Sequence, residues 1–355
     1  MTGSGVTPLV AVIVPVRDRI ELLRETVNSL RSQTLDRWEA VLVDDGTRAE
    51  ARSDLELMVR ADPRIRLLER PAIRPAGASA CRNTGVAAAR ASIIVFLDSD
   101  DLLAPEALAD RVAWLQGNPH AEVLVRQGQV FERVTGDLGD LPWNELDTGE
   151  DLLTRFLAAD TPWQTTGPTW RRSALERVGP WDEQATSWQD WEFHVRALAA
   201  GVTFFLDPTV DHHHRRRHGA SMRARHDAPE ALVTRAATFS RVLCRLDSAA
   251  MRTRRRDELL AGLYLRFALK AARLHGPHDA GVAARAVLEA LLKTGLLRAG
   301  ELAPARALVR DASRGVIDGE RDAAAIADYP VLAEVCASPG RRRARGQVVG
   351  PTNPP

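Results

Sequence analysis

The chain has 355 residues, long for one compact core and short for three, so one large domain plus an extension is expected. Its 45% apolar and 27% charged residues are those of a soluble globular protein, and a formal net charge of +1 leaves no global field to select nucleic acid or a membrane. Cys81, Cys244 and Cys336 are far apart and odd in number, which makes neither a disulfide framework nor a zinc site and fits a reducing, cytoplasmic compartment.

Met1–Pro8 lacks the basic-then-apolar pattern of a secretion leader. No apolar run approaches the roughly 18 residues of a membrane span; the best, Val86 to Leu97, is interrupted by Arg90, so at most peripheral membrane contact is expected. From the start of the chain, strands and helices alternate. Leu9 to Val16 is a continuous apolar run, as a strand covered on both faces requires, and Ile20, Leu23, Val27 and Leu30 then recur at helical spacing. Trp38 to Val43 is a second buried strand ending in Asp44-Asp45-Gly46, and Ile65 to Leu68 a short third. Ala78 to Ala89 reads as a helix of small residues able to pack closely, and Ile93 to Leu97 as a fourth strand ending in Asp98-Ser-Asp-Asp101. This alternation predicts a mostly parallel, doubly wound α/β sheet, whose ligands bind beyond the carboxyl ends of the strands. Both acidic clusters sit at that edge.

Further on, the pattern predicts a helix over Glu106 to Gln116, a long strand or strand pair over Glu122 to Val134, and a helix over Asp151 to Ala159. A short strand over Gly167 to Arg172, a helix over Asp190 to Ala200 and a last strand over Val202 to Leu206 follow, and His212 to Arg225 reads as an irregular basic loop. Beyond Ala228 the periods are helical and rich in Ala, Leu and Arg. The expected division is residues 1–227 as the α/β domain, 228–338 as a helical region, and 339–355 as a disordered basic, proline-rich tail.

Asp98 and Asp100 are two carboxylates two positions apart, just past a buried strand. Such a pair can hold a hard divalent cation through oxygen and leave room for phosphate oxygens, but the same triplet is also an ordinary turn. Asp44 could accept a hydrogen bond from a base N–H, or simply punctuate the end of a strand. Arg82, in the helix near the same edge, could pair with a base or diphosphate or be merely solvated.

Taken in order, Val-Pro-Val-Arg-Asp (14 to 18), Val-Asp-Asp-Gly (43 to 46), Ala-Cys-Arg-Asn-Thr-Gly (80 to 85) and Phe-Leu-Asp-Ser-Asp-Asp (96 to 101) resemble the family 2 glycosyltransferases, which have the GT-A fold. Arg171 to Glu183, Trp188 to Arg196 and Arg216-Arg-His218-Gly-Ala-Ser221 continue the likeness, which covers roughly residues 9 to 225. The resemblance implies a GT-A domain that moves a sugar, with inversion, from a nucleoside-diphosphate sugar (UDP-linked by expectation) to an acceptor hydroxyl. By position, Pro15 and Arg17 would flank the nucleotide, Asp44 would recognise the base, and Arg82 would face the nucleotide. Asp98 would contact ribose or metal and Asp100 would be the main ligand of Mn2+ or Mg2+. His218 would complete the metal or diphosphate site with Arg216 near the phosphates, and Asp190 would be the catalytic base.

Two positions depart from the family pattern: Gln189 where Glu is frequent, and Asp18 where Asn is common. Asp190 could also serve as a helix N-cap, a role compatible with catalysis. Trp163, Trp170, Trp181 and Trp188 are candidates to line an acceptor cleft, with core packing the alternative for at least half of them. The helices beyond are expected to shape the acceptor side or a homo-oligomer contact. The acceptor would be a saccharide, a lipid-linked molecule or a small molecule, and no nucleic acid is expected. The rival is a non-catalytic nucleotide-sugar-binding or scaffold protein on the same fold.

Overall fold

The computed structural model describes residues 7–216 and 229–266. These form two compact units: residues 7–148, 163–183 and 201–216 make the first, and residues 149–162, 184–200 and 229–266 the second. Helices α1 (Ile20–Arg31), α2 (Ala49–Arg60), α3 (Ala78–Ala88), α4 (Ala107–Gly117) and α6 (Arg172–Val178) belong to the first unit. Helices α5 (Leu152–Leu157), α7 (Gln189–Ala199) and α8 (Pro229–Ser248), with a further helix over residues 254–266, belong to the second.

The first unit is built on an eight-stranded sheet. Its strands are β1 (Val10–Val16), β2 (Trp38–Asp44), β3 (Ile65–Glu69), β4 (Ile93–Phe96), β5 (Leu102–Leu103), β6 (Val123–Phe131), β7 (Pro168–Arg171) and β8 (Phe204–Arg215), in the order β3-β2-β1-β4-β7-β6-β8-β5. β1 lies between β2 and β4 and runs parallel to both. Its continuous apolar run has a cause on each face. Val10, Val12, Val14 and Val16 enter one cluster with Leu23 and Val27 of α1, Leu55 of α2 and Leu108 of α4. Ile13, on the other face, meets α3 at Gly85, where an added Cβ would lie 2.3 Å from Ile13 Cγ2. Close approach of helix and strand is therefore what the small residues of α3 permit. Helix α2 was not legible as a stripe because only Leu55 and Met58 on it are buried.

The sheet is mixed rather than purely parallel: β7 is antiparallel to β4 and β6, and β5 is antiparallel to β8. The reading of 212 onward as a loop is corrected by β8, which continues to Arg215 and pairs with both β6 and β5. Register shifts between Arg126 and Gln127 and between Gln127 and Gly128 let it pass a bulge. The physical reason is that its charges are paired instead of solvated. Asp211 and His212 are buried against Arg111 of α4, itself fully buried, whose Nε and Nη2 each donate to Asp211 at 2.6 Å. This pairing outweighs burial and holds the Asp211 carboxyl down at about 2. Gly128 makes room, since a Cβ there would meet His212 Nε2 at 2.6 Å. Residues 217–225 of that predicted loop lie outside the described residues.

In the second unit, Asp151 caps α5 by accepting the Thr154 N–H at 2.9 Å. Trp191 of α7 donates its indole N–H to the Phe156 carbonyl at 2.7 Å and packs edge-on against Phe239 of α8 at 4.8 Å. Phe239 meets Tyr264 at 4.9 Å. The helices expected after Ala228 are thus present as far as residue 266; the positions beyond, including the tail 339–355, lie outside the described residues. Among the described residues no helix is long and apolar enough to cross a membrane.

Candidate active site

The strand order turns at β1, so the carboxyl ends of β1, β2 and β4 form the edge where a doubly wound sheet takes its ligand. Two turns at that edge are tied together. Asp18 accepts the Arg48 N–H at 3.0 Å and donates its own N–H to Thr47 Oγ at 3.2 Å. Its backbone is left-handed (φ 54), a conformation that Asp and Asn both tolerate, which accounts for either residue at this position. Gly46, at φ 88, completes the turn after β2.

Past β4 lies the acidic turn. Asp98 accepts Arg82 Nη2 at 2.7 Å, and the Arg82 guanidinium stacks over the Trp181 ring at 4.5 Å. Arg82 is buried, and its Nε and Nη1 have no hydrogen-bond partner. A buried donor left unmet costs about 1–3 kcal/mol, more when charged, so this guanidinium is arranged for an anion. Trp181 is fixed to α3 through Asn83, which donates to its carbonyl at 3.0 Å and accepts its N–H at 2.8 Å. Asn83 also donates to Glu183 at 2.7 Å, and Arg74 pairs with the same carboxylate.

Asp101 is the buried hub of the turn. Its carboxylate accepts the Arg215 N–H at 3.0 Å, the Thr166 hydroxyl at 3.1 Å and His214 Nδ1 at 3.2 Å. Burial works against its ionised form, but His214 and the Arg215 N–H outweigh it and hold the carboxyl below its usual range. Burial likewise opposes a charged His214, yet Asp101, then Asp100 and Asp98, lift the imidazole to about 9. Asp100 has the opposite balance. Burial, then the charges of Asp101 and Asp98, push its carboxyl up to about 7. A hard cation would relieve that crowding. Among the described residues no three acidic, histidine or cysteine side chains already converge as a ligand set. Two carboxylates with the remaining positions left to phosphate oxygens is a familiar way of holding Mg2+ with a nucleotide, so Asp98 and Asp100 fit the implied metal.

The other predicted residues fall in different places. Pro15 is half-buried on β1 opposite Val43, and Arg17 is exposed with its guanidinium 3.8 Å from Asp45. Asp44 is turned inward: its two oxygens accept the Thr47 N–H at 2.8 Å and Arg52 Nη1 at 2.7 Å. Its neighbour Asp45 holds the start of α3, accepting Arg70 Nε at 2.6 Å and the Gly77 N–H at 3.1 Å. Arg216 is held by Glu132 at 2.7 Å. Its neighbour Arg215 does reach the acidic turn, donating to the Asp100 carbonyl at 3.1 Å. Asp190 belongs to the second unit, one residue into α7, where its Oδ1 accepts the Trp191 N–H at 2.9 Å. It is not the N-cap, because that place is taken by Trp188. His218 lies outside the described residues.

Three of the four tryptophans named for a cleft are core residues, the alternative expected for at least half of them. Trp163 stacks on Phe204 at 5.1 Å, Trp170 meets the same ring edge-on at 5.5 Å, and Trp181 packs on Phe96 and Arg82. Trp188 is half-exposed. Asp101, His214 and Arg215 escaped the sequence reading, although Gly128 inside a strand was a readable sign that another group approaches closely there.

The mixed α/β sheet, with its acidic turn at the switch point, has the GT-A fold, and solved structures share it. S. aureus TarS 1-349 in complex with UDP-GlcNAc superposes with a TM-score of 0.62 at 17% identity, over 96% of this chain and 93% of that one. Residues 11–179 match the model described as glycosyl transferase family 2. The pre-mycofactocin glycosyltransferase of Mycobacterium tuberculosis is 30% identical over 220 residues, 58% of this chain and 43% of that protein. The uncharacterized glycosyltransferase EpsJ of Bacillus subtilis is 39% identical over 94 residues, 26% of each chain. The chain thus spans less than half the length of either relative.

Proposed function

We propose that this protein is an inverting glycosyltransferase that takes a nucleoside-diphosphate sugar, UDP-linked, together with Mn2+ or Mg2+, and delivers the sugar to an acceptor hydroxyl. The observation that carries the reading is Arg82: a buried guanidinium, stacked on Trp181 and clamped to Asp98, with two nitrogens unmet beside the acidic turn. That is a site shaped for a diphosphate and its counter-cation. The UDP-GlcNAc bound by the TarS neighbour supports the donor class.

Each residue then has a task. Arg82 binds the diphosphate, and Asp98 and Asp100 hold the divalent ion. When bound, that ion neutralises charge on the departing diphosphate. His214 and Arg215 keep Asp101 ionised and buried, which fixes the backbone of the turn. Pro15 and Arg17 flank the nucleotide, with Arg216 toward the phosphates. Asp44 reaches the base only by exchanging one of its present partners. Asp190 receives the acceptor proton as general base. Its value lies in placement as the sugar–oxygen bond forms. A single base and a single departing diphosphate suit one displacement, hence inversion. The acceptor is a saccharide, a lipid-linked molecule or a small molecule.

The test is calorimetric titration of UDP, GDP and dTDP, with and without Mn2+, on wild type and Asp100→Ala. Metal-dependent binding of UDP, lost in the variant, is expected. Binding of none of the three nucleotides under either condition would sink the donor site and favour a scaffold role on the same fold.

A further inference from the structure

A strained turn directly precedes Asp190, and the helix that follows in the second unit braces it. Trp188 takes left-handed backbone (φ 60, ψ 29) just before α7. A bulky residue holds that conformation only where its surroundings over-determine it. Here Ser187 accepts a hydrogen bond from Arg235 Nε at 2.8 Å, with both side chains buried. Phe239, four residues on and so on the same face of α8, sets its ring edge-on to Trp188 at 5.9 Å and to Trp191 at 4.8 Å. The Trp188 carbonyl accepts the Glu192 N–H at 3.0 Å, which closes the first turn of α7 around Asp190. Trp191 is pinned from its other end by the Phe156 carbonyl at 2.7 Å.

We infer that Arg235 is a positioning residue for Asp190: its bond to Ser187, backed by Phe239, locks the Trp188 turn that sets where the Asp190 carboxylate stands. The helical extension then has a task within the catalytic cycle, holding the base, and is more than an acceptor wall or an oligomer contact. The inference rests on Asp190 being the general base. Placement errors of about 1 Å can cost on the order of a hundredfold in rate, so a remote brace is enough to govern turnover.

The experiment compares wild type, Arg235→Ala, Arg235→Lys, Ser187→Ala and Asp190→Asn in the full chain. Three quantities are read: amide hydrogen exchange at 188–192, UDP release from UDP-N-acetylglucosamine, and affinity for UDP with Mn2+. Arg235→Ala and Ser187→Ala are expected to raise exchange at 188–192 and to lower kcat about tenfold or more. UDP affinity should stay within about twofold, and Arg235→Lys, which keeps a donor, should recover part of the rate. Ser187→Ala removes the same bond without touching α8, so it decides the matter if Arg235→Ala fails to fold. Unchanged exchange at 188–192 in both variants overturns the inference, as does a parallel loss of UDP affinity and kcat. An Asp190→Asn variant that still turns over would instead remove the base assignment, whatever Arg235 does.

Discussion

Gly85→Ala offers the most quantitative test of how the site is carried. The new Cβ would stand 2.3 Å from Ile13 Cγ2 and 3.4 Å from both Ile13 Cδ1 and Val43 Cγ2. Carbon atoms prefer about 3.5–4.0 Å, so the first contact overlaps by about 1 Å. Ile13 is fully buried in the middle of β1, with β2 and β4 on either side, and has nowhere to retreat. The strain therefore lifts α3. Overpacking of this kind costs about 1–3 kcal/mol, against a gain of about 1 kcal/mol for replacing a helical glycine, leaving a net loss of about 0–2 kcal/mol. Arg82 rides on α3, and a lift of about 1 Å stretches its 2.7 Å bond to Asp98 beyond hydrogen-bonding range. Urea denaturation of Gly85→Ala, Ile13→Ala and the double variant measures the first effect, and UDP titration the second. Ile13→Ala alone should cost about 2–5 kcal/mol, but it opens the space that the new methyl needs. The double variant should therefore be more stable than the sum of the single losses by about 1 kcal/mol or more. A Gly85→Ala protein as stable as wild type, with additive losses in the double, would refute the close approach of α3 to β1.

The Arg111–Asp211 pair should make the first unit sensitive to acid. The Asp211 carboxyl is depressed from 3.8 to about 2 in the folded protein, so its contribution is complete above about pH 4 and is lost as pH falls toward 2. It amounts to about 2 kcal/mol, and the slope of unfolding free energy between pH 4 and 2 should flatten in Asp211→Asn. At neutral pH that variant should lose about 3–5 kcal/mol, because Arg111 is left buried without its counter-charge; thermal unfolding checks this. Trp181→Leu removes the surface under Arg82 and leaves a cavity beside Phe96, so UDP affinity should fall about threefold to tenfold and Tm should drop with it, as titration and thermal unfolding would show. Asp44→Asn should cost about 1–3 kcal/mol in urea through its lost pair with Arg52, and unaltered stability would show that this carboxylate is free to serve the base.

Much of the fold was legible because its signals are local. β1, β2 and β4 are buried on both faces and so wrote themselves as unbroken apolar runs, and the small residues of α3 announced a close approach that Gly85 makes. The acidic turn was legible for the same reason: Asp98 and Asp100 follow directly on a strand. What escaped depends on partners far away in sequence. Asp101 looks like the tail of a turn until His214 and Arg215, more than a hundred residues later, fold back onto it. His212 and its neighbours looked like a solvated basic loop because the buried Arg111 that joins them sits on a helix in the first third of the chain. Asp44 reads as an open carboxylate from its neighbours, whereas Arg52, in the first turn of α2, has already claimed one oxygen.

The separation of Asp101 from its partners has a consequence for how the protein is made. The bond from the Arg215 N–H to Asp101 joins positions 114 residues apart. A ribosome adding about 5–20 residues per second needs on the order of 6–20 seconds to cover that distance. Throughout that interval the first four strands can exist without β8, and three crowded carboxylates stand at their edge with no histidine or backbone N–H to steady them. The nascent chain must keep that edge in water until its last strand arrives. A chain halted before residue 214 would hold most of the sheet but lack the histidine and the backbone N–H that brace its acidic turn.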